Sequence, residues 1–247
     1  MGSEGGHLEF LSKSFKKPSN VRFGYGIIVY GKTKIGENTY VGDWCILGAP
    51  SFRSIKENVE GSGCRIGKNC LLRQYNVVYE DADIKDEVET SAFVHIRENT
   101  VIGEKTYLST HVCVEAGAML GSRVRIAEHA IIGKGCVIED DSFLGGSSML
   151  AWDKKMDGTL TPVVLERGAR VADNVTVVGG FRIGMGSIIG ANSVVTCNIP
   201  AWSVAYGVPA KVIRKVTLKE ITVFNEVLAK RYGKTKPSIL DLYLESQ

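Results

Sequence analysis

The stretch Ile96-Arg-Glu-Asn-Thr-Val-Ile102-Gly-Glu-Lys-Thr-Tyr-Leu108-Ser-Thr-His-Val-Cys-Val114-Glu-Ala-Gly-Ala-Met-Leu120-Gly-Ser-Arg-Val-Arg-Ile126-Ala-Glu-His-Ala-Ile-Ile132 places one large aliphatic residue at every sixth position. Extended in both directions, the register runs from Ile66 to Leu150 with fourteen aliphatics in fifteen positions, Thr90 being the exception, and chance does not sustain that. The same step appears earlier at Ile35, Val41 and Leu47, and again from Leu165 through Val195. A period of six fits neither a helix of 3.6 residues per turn nor a heptad; it suits short strands joined by corners, one inward aliphatic per unit. Four residues after each anchor stands a second inward position, usually small or β-branched: Cys70, Ala82, Val88, Thr106, Val124, Cys136 and Ser148 among them. Glycine often follows the anchor, as at Gly67, Gly103, Gly121, Gly133, Gly184 and Gly190, where the sequence suggests a corner that needs backbone freedom.

Two segments break the period. Residues 48–65 and 151–164 are too long for a corner, so each is expected to leave the scaffold as a loop, decorative or functional. Beyond the repeat, Thr217-Leu-Lys-Glu220 has the pattern of a capping box opening a helix that ends near Gly233, with Leu218, Ile221, Val227 and Leu228 on one face. Pro237 precedes a short second helix. The expected organisation is a tag-like, disordered N-terminus over 1–20, a β-helix over 21–215 and C-terminal helices over 216–247.

A formal charge of +3, without a concentrated Lys/Arg stripe, argues against nucleic-acid or membrane partners, and Lys13, Lys16 and Lys17 read as a solvated cluster. The opening residues lack an apolar core of signal-peptide length, which points to the cytoplasm. The six cysteines show no CxxC pair and no metal spacing, so reduced thiols are expected, Cys70 and Cys136 as core fillers.

The Ile-Gly-x-x-x-x units, followed by Gly190-Ala-Asn-Ser-Val-Val-Thr and Ala205-Tyr-Gly-Val-Pro-Ala-Lys-Val-Ile, resemble the hexapeptide-repeat acyltransferase family over roughly residues 27 to 215. The resemblance implies three hexads per triangular coil, coils stacked into a left-handed parallel β-helix, and a homotrimer with sites between subunits. It further implies an acetyl-coenzyme A donor lying along the groove between prisms, against Gly190 and Ala191, with Lys211 and Arg214 near its phosphates; simple solubility is the other reading of those two cations.

His111 and His129 stand three positions after their anchors and eighteen residues apart, hence on one outward face of adjacent coils. They are candidates for a general base, imidazole having suitable proton affinity near neutral pH, or else a surface or interface pair. Related sugar acetyltransferases often carry a catalytic His two positions after an anchor, where this chain has Ala92. Some relatives acting on nucleotide-linked amino sugars need no such base, since positioning supplies much of the rate. Trp152 and Asp153 resemble the family's Thr-Asn-Asp loop, with Trp in place of Asn. They are candidates to stack on and orient the acceptor, Asp153 alternatively capping a turn. Ile96-Arg-Glu-Asn99 also resembles a family segment, which makes Arg97 and Glu98 candidates for acceptor binding, Arg97 through the acceptor's phosphate, with a structural salt bridge as the other reading. Zinc is not expected, because the His-x4-His pair of the family's carbonic anhydrases is absent. The reading is thus an acetyl-CoA-dependent N-acetyltransferase of a nucleotide-linked amino-deoxy sugar, with O-acetylation as the alternative and a non-catalytic scaffold as the rival from another class.

Overall fold

The computed structural model describes residues 10–247. Two-residue strands recur along the chain, the second residue of each being the anchor: Val101–Ile102, Tyr107–Leu108, Cys113–Val114, Met119–Leu120. Alternation along a strand turns the first residue outward and the second inward, and every anchor from Ile66 to Leu150 is buried. Strands pair in parallel with the strand eighteen residues on, Thr90 opposite Leu108 and Leu108 opposite Ile126. Three hexads therefore close one coil, and like anchors stack into continuous columns. The result is a three-faced β-solenoid of about 11 turns, with sheets of ten, eight and eleven strands. The chain visits the eleven-stranded face, then the ten-stranded, then the eight-stranded, in each coil.

The corners form differently from the expectation. The left-handed residue is the third after the anchor, whatever its type: Asn69 at φ +54°, Phe93 at +60°, Lys105 at +58°, His129 at +59°. Each such residue donates its N–H to the coil before, as His129 does to the Thr110 carbonyl at 3.0 Å. Glycine just after the anchor answers a different need. A Cβ on Gly103 would lie 2.3 Å from the carbonyl carbon of Gly121 in the next coil, so close stacking of backbones, not torsional freedom, selects it.

The solenoid also starts earlier than the sequence suggests. Phe10–Leu11 pairs in parallel with Ile28–Val29, and buried Phe15 stacks on Phe23, ring centroids 6.2 Å apart. The disordered, tag-like reading of 1–20 is corrected for residues 10–20: an open end of a stacked apolar core needs a cover, and Leu11, Phe15 and Val21 supply it. Residues 1–9 lie outside the described residues.

At the other end, the antiparallel hairpin Ser203–Gly207/Ala210–Lys215 closes the eleven-stranded sheet. Helix α2 (Leu218–Tyr232), opened by the Thr217/Glu220 capping box, and α3 (Ile239–Glu245) follow. Ile221, Leu228 and Ile239 bury with Trp202, Val204 and Val216 in a second small core, while Leu218 and Val227 stay exposed. Asp141, wholly buried, receives Arg123 at 2.6 Å and Arg167 at 2.9 Å, and Arg167 also donates to the Pro237 carbonyl at 2.8 Å. That network ties the C-terminal segment to the prism. No helix among the described residues is long and apolar enough to cross a membrane.

Candidate active site

The ten-stranded face collects the residues with chemistry. Its outward strand positions are mainly apolar towards both ends, with Ile28, Ile46 and Val77 before and Ile131, Met149 and Val194 after, interrupted by Thr176, and polar in the middle, where His95 stands in register with Cys113. Flanking them in the position after the anchor are Tyr79, Arg97 and Glu115. The Arg97 guanidinium forks onto Glu98 at 2.9 and 3.1 Å, reaches Glu115 at 3.7 Å, and stacks 5.1 Å from the Tyr79 ring centroid. Burial raises the Glu98 carboxyl, but the hydrogen bond from Arg97 outweighs it and leaves that acid below its ordinary value. The Cys113 thiol donates to Glu115 at 3.6 Å, and burial with that carboxylate pushes it up to about 11, so it is a thiol rather than a nucleophilic thiolate.

Both insertions leave the prism at the same corner, where the ten-stranded face passes to the eight-stranded one, five coils apart. At about 4.8 Å per coil that separation is roughly 24 Å. The first loop contains α1 (Phe52–Lys56), capped by Ser51, and folds around one acid that the sequence does not announce. Buried Glu80 accepts from the Ser51 N–H at 2.8 Å, the Ser54 hydroxyl at 2.6 Å and the Ser62 N–H at 2.9 Å. Burial alone would raise its carboxyl; these donors hold it at about 2. The second loop is organised by Asp153, which accepts from the N–H groups of Lys155, Met156 and Gly158 at 3.0, 2.7 and 2.6 Å. The turn-capping geometry is therefore present. Trp152 lies partly buried with its Cδ1 over Gly133, packed on the prism.

The opposite corner of the face carries a ladder of rings. Tyr75, Phe93, His111 and His129 stack with centroids 4.9 Å apart and interplanar angles of 5°, 3° and 9°. The spacing is that of the coils, so the stack follows from placing flat side chains at one left-handed corner position repeatedly. The two imidazoles are exposed, and their ring edges, which bear the nitrogens, are not covered by the stack.

Relatives identify the scaffold. The chain is 26% identical over 196 residues to the bifunctional protein GlmU of Thermotoga maritima, covering 79% of this chain and 41% of that protein. It is 27% identical over 169 residues to the acyl-[acyl-carrier-protein]–UDP-N-acetylglucosamine O-acyltransferase of Campylobacter concisus, covering 65% and 62%. Among solved structures, the UDP-N-acetylglucosamine acyltransferase from Campylobacter jejuni superposes with a TM-score of 0.59 at 16% identity, over 87% of this chain and 75% of that one. No family model matches. These similarities in sequence and fold support the resemblance to hexapeptide-repeat acyltransferases. The chain spans about two fifths of the length of the GlmU relatives it matches.

The remaining residues singled out from the family resemblance fall at the C-terminal end of the His-bearing corner. Asn192 occupies the same corner position as His129, three coils further along; its N–H donates to the Asp173 carbonyl at 3.1 Å and its side-chain oxygen accepts from Asn174 at 2.6 Å. Gly190 admits the Tyr206 side chain, whose Cβ would sit 2.8 Å from a Cβ at position 190; Ala191 is exposed beside it. Lys211 is exposed in the hairpin opposite Tyr206. Arg214, in contrast, is engaged by Glu220 at 2.8 and 2.9 Å, the same acid that caps α2. His95 stands immediately before the anchor Ile96 and so on the face itself, whereas His111 and His129 sit on the adjoining corner.

Proposed function

We propose that the chain is an acyltransferase that moves acetyl from acetyl-coenzyme A to an amine of a nucleotide-linked amino sugar, at the ten-stranded face of a homotrimer. The observation that carries this reading is convergence: the imidazoles of His111 and His129 border the face, His95, Arg97, Glu98 and Glu115 lie within it, and both loops rise from its far edge. In the proposed step the acceptor nitrogen attacks the thioester carbonyl, a C–N bond forms, the C–S bond breaks, and coenzyme A leaves as the thiolate. The proton released by the nitrogen passes to one of the three imidazoles and onward to that thiolate, while Arg97, its fork oriented by Glu98 and Glu115, turns its remaining N–H donors to the acceptor's phosphates. Trp152 and Asp153 shape the acceptor end, and Gly190, Ala191, Lys211 and Arg214 the donor end. The apolar ends of the face are the surface a neighbouring prism would cover, which supports a reaction between subunits.

The similarity to a relative named as an O-acyltransferase of UDP-N-acetylglucosamine favours one second reading, O-acylation of the same substrate class. The discriminating experiment follows thiol release from acetyl-coenzyme A against nucleotide-linked sugars bearing either a free amine or only hydroxyls, repeated with His95→Ala, His111→Ala and His129→Ala. Turnover confined to amino sugars and lost with one histidine supports N-acylation with that imidazole as base. Turnover surviving all three substitutions discards the histidine base, and hydroxyl acceptors alone would move the assignment to O-acylation. No release and no coenzyme A binding would leave a scaffold.

A further inference from the structure

A separate cleft lies on the eleven-stranded face, away from the surface assigned to acyl transfer. Arg125, Phe143 and Arg170 stand in register on three successive coils, and α2 crosses over them with Phe224, Val227 and Leu228. The space between is about 260 Å³, near the lower end of small-molecule pockets. Its walls are mainly aromatic and aliphatic, with the Arg123–Asp141 pair, Ser142 and Arg231 also in the lining, yet three of its buried polar atoms, Arg125 Nε, Arg170 Nε and the Tyr232 hydroxyl, have no hydrogen-bond partner.

Neighbouring arginines show that the fold can neutralise such groups when it needs to. Arg123 and Arg167 both reach the buried Asp141. Among the described residues neither Arg125 nor Arg170 has a carboxylate within ion-pair distance; they meet ring faces, Phe143 at 5.7 Å and Phe224 at 4.4 Å, and Arg170 Nη2 donates to the Gly186 carbonyl at 3.4 Å. Burial pushes the Arg170 guanidinium down to about 10, the Glu220 carboxylate, beyond ion-pair distance, opposing that only in part. A buried, unpaired cation costs stability, and a hydrophobic residue of similar size would serve the packing of α2 better. The arrangement makes sense when the missing negative charge comes from a bound molecule.

We propose that this cleft binds a small anion with an apolar body, its oxyanion head meeting Arg125, Arg170 and the Tyr232 hydroxyl, and its body held between Phe143 and Phe224. The assignment is independent of the acyl-transfer reading, since it uses another face of the prism.

The test titrates the full chain with 8-anilinonaphthalene-1-sulfonate by fluorescence, and with decanoate, decyl phosphate and neutral decanol by calorimetry. The expected result is saturable, one-to-one binding of the anions, with decanol at least about tenfold weaker; comparison of decanoate with decyl phosphate tells which head the site prefers. Arg170→Met should weaken anion binding at least about tenfold, raise the unliganded unfolding temperature and leave thiol release unchanged. Should that variant fail to fold, the proposal is overturned, because Arg170 would then be structural. Arg125→Met gives a second reading of the same contact, expected to weaken the anions and spare decanol. Equal binding of decanol and decanoate, unchanged anion affinity in Arg170→Met, or no saturable binding of any anion would also overturn it.

Discussion

Replacing Glu80 by Gln removes a charge while keeping the shape of the side chain, and the consequence can be worked from its surroundings. The carboxylate holds both ends of the first loop through Ser51 and Ser62 and its helix through Ser54. Held at about 2 against an ordinary value of 4.5, the ionised form is favoured by about 3 kcal/mol in the folded loop, at about 1.4 kcal/mol per factor of ten. Because the folded value is depressed, this contribution is complete above the unfolded value and fades as pH falls from about 4.5 towards 2. The prism has its own core, so the loss should appear as local opening of residues 51–62 rather than global unfolding. Amide hydrogen exchange at Ser51 and Ser62, the two donors, is the assay. In Glu80→Gln those amides should exchange about 100-fold faster at neutral pH, the factor equivalent to ~3 kcal/mol. The excess over the wild type should shrink as pH approaches 2. Equal exchange in the two proteins at pH 7, or a difference undiminished at low pH, would refute the assignment of Glu80 as the loop's anchor.

Three further outcomes follow from the packing. Asp141→Ala leaves the Arg123 and Arg167 charges without their shared buried partner and should cost about 3–5 kcal/mol in urea denaturation, with early proteolysis near Pro237; a loss below 1 kcal/mol would mean the network adds little. Gly103→Ala forces a methyl against the Gly121 backbone and should destabilise by about 1–3 kcal/mol, visible as a lowered unfolding temperature, whereas an unchanged temperature would show that the coils can separate at no cost. In the native protein a disulfide reagent near pH 8 should modify Cys197 alone at a fast rate, because Cys45, Cys64, Cys70 and Cys136 are buried with thiols pushed up by that burial to about 11 or 12, and half-buried Cys113 stands at about 11. Rapid reaction of two or more thiols would contradict that packing.

The scaffold was legible because one physical demand, an inward aliphatic per strand, repeats from Ile66 to Leu150 with Thr90 as the single exception, and Ile102, Leu108 and Val114 fill their columns with apolar volume. Position along the hexad also placed the small second filler, as at Ala118 and Cys136. The corner was misassigned because two demands look alike in sequence. Glycine after the anchor suggested torsional need, while the actual left-handed residues, Phe93, Lys105 and His129 among them, are too varied in type to announce themselves. The N-terminal rung was missed since Phe10, Leu11 and Phe15 form only one coil end, and a single rung has no period to detect. Of the site, the loops and the stacked histidines could be located, and Asp153 could be seen as acceptor ligand or turn cap, but Glu80 was silent: its role depends on Ser51, Ser54 and Ser62 arriving from across an insertion, which no local pattern encodes. Arg97 and its neighbour Glu98 could be singled out but not the second partner, Glu115, a full coil away.

The account's central claim is that acyl transfer occurs on the ten-stranded face. Mass-spectrometric detection of the acetylated product, after incubating the full chain with labelled acetyl-coenzyme A and nucleotide-linked amino sugars, tests it most directly when wild type is compared with His95→Ala combined with Arg97→Met. The predicted result is label on the sugar nitrogen with wild type and a loss of at least about 100-fold in the double variant at unchanged unfolding temperature, the magnitude of removing a proton acceptor together with a charge-assisted contact. Label transferred at the wild-type rate by the double variant would contradict it.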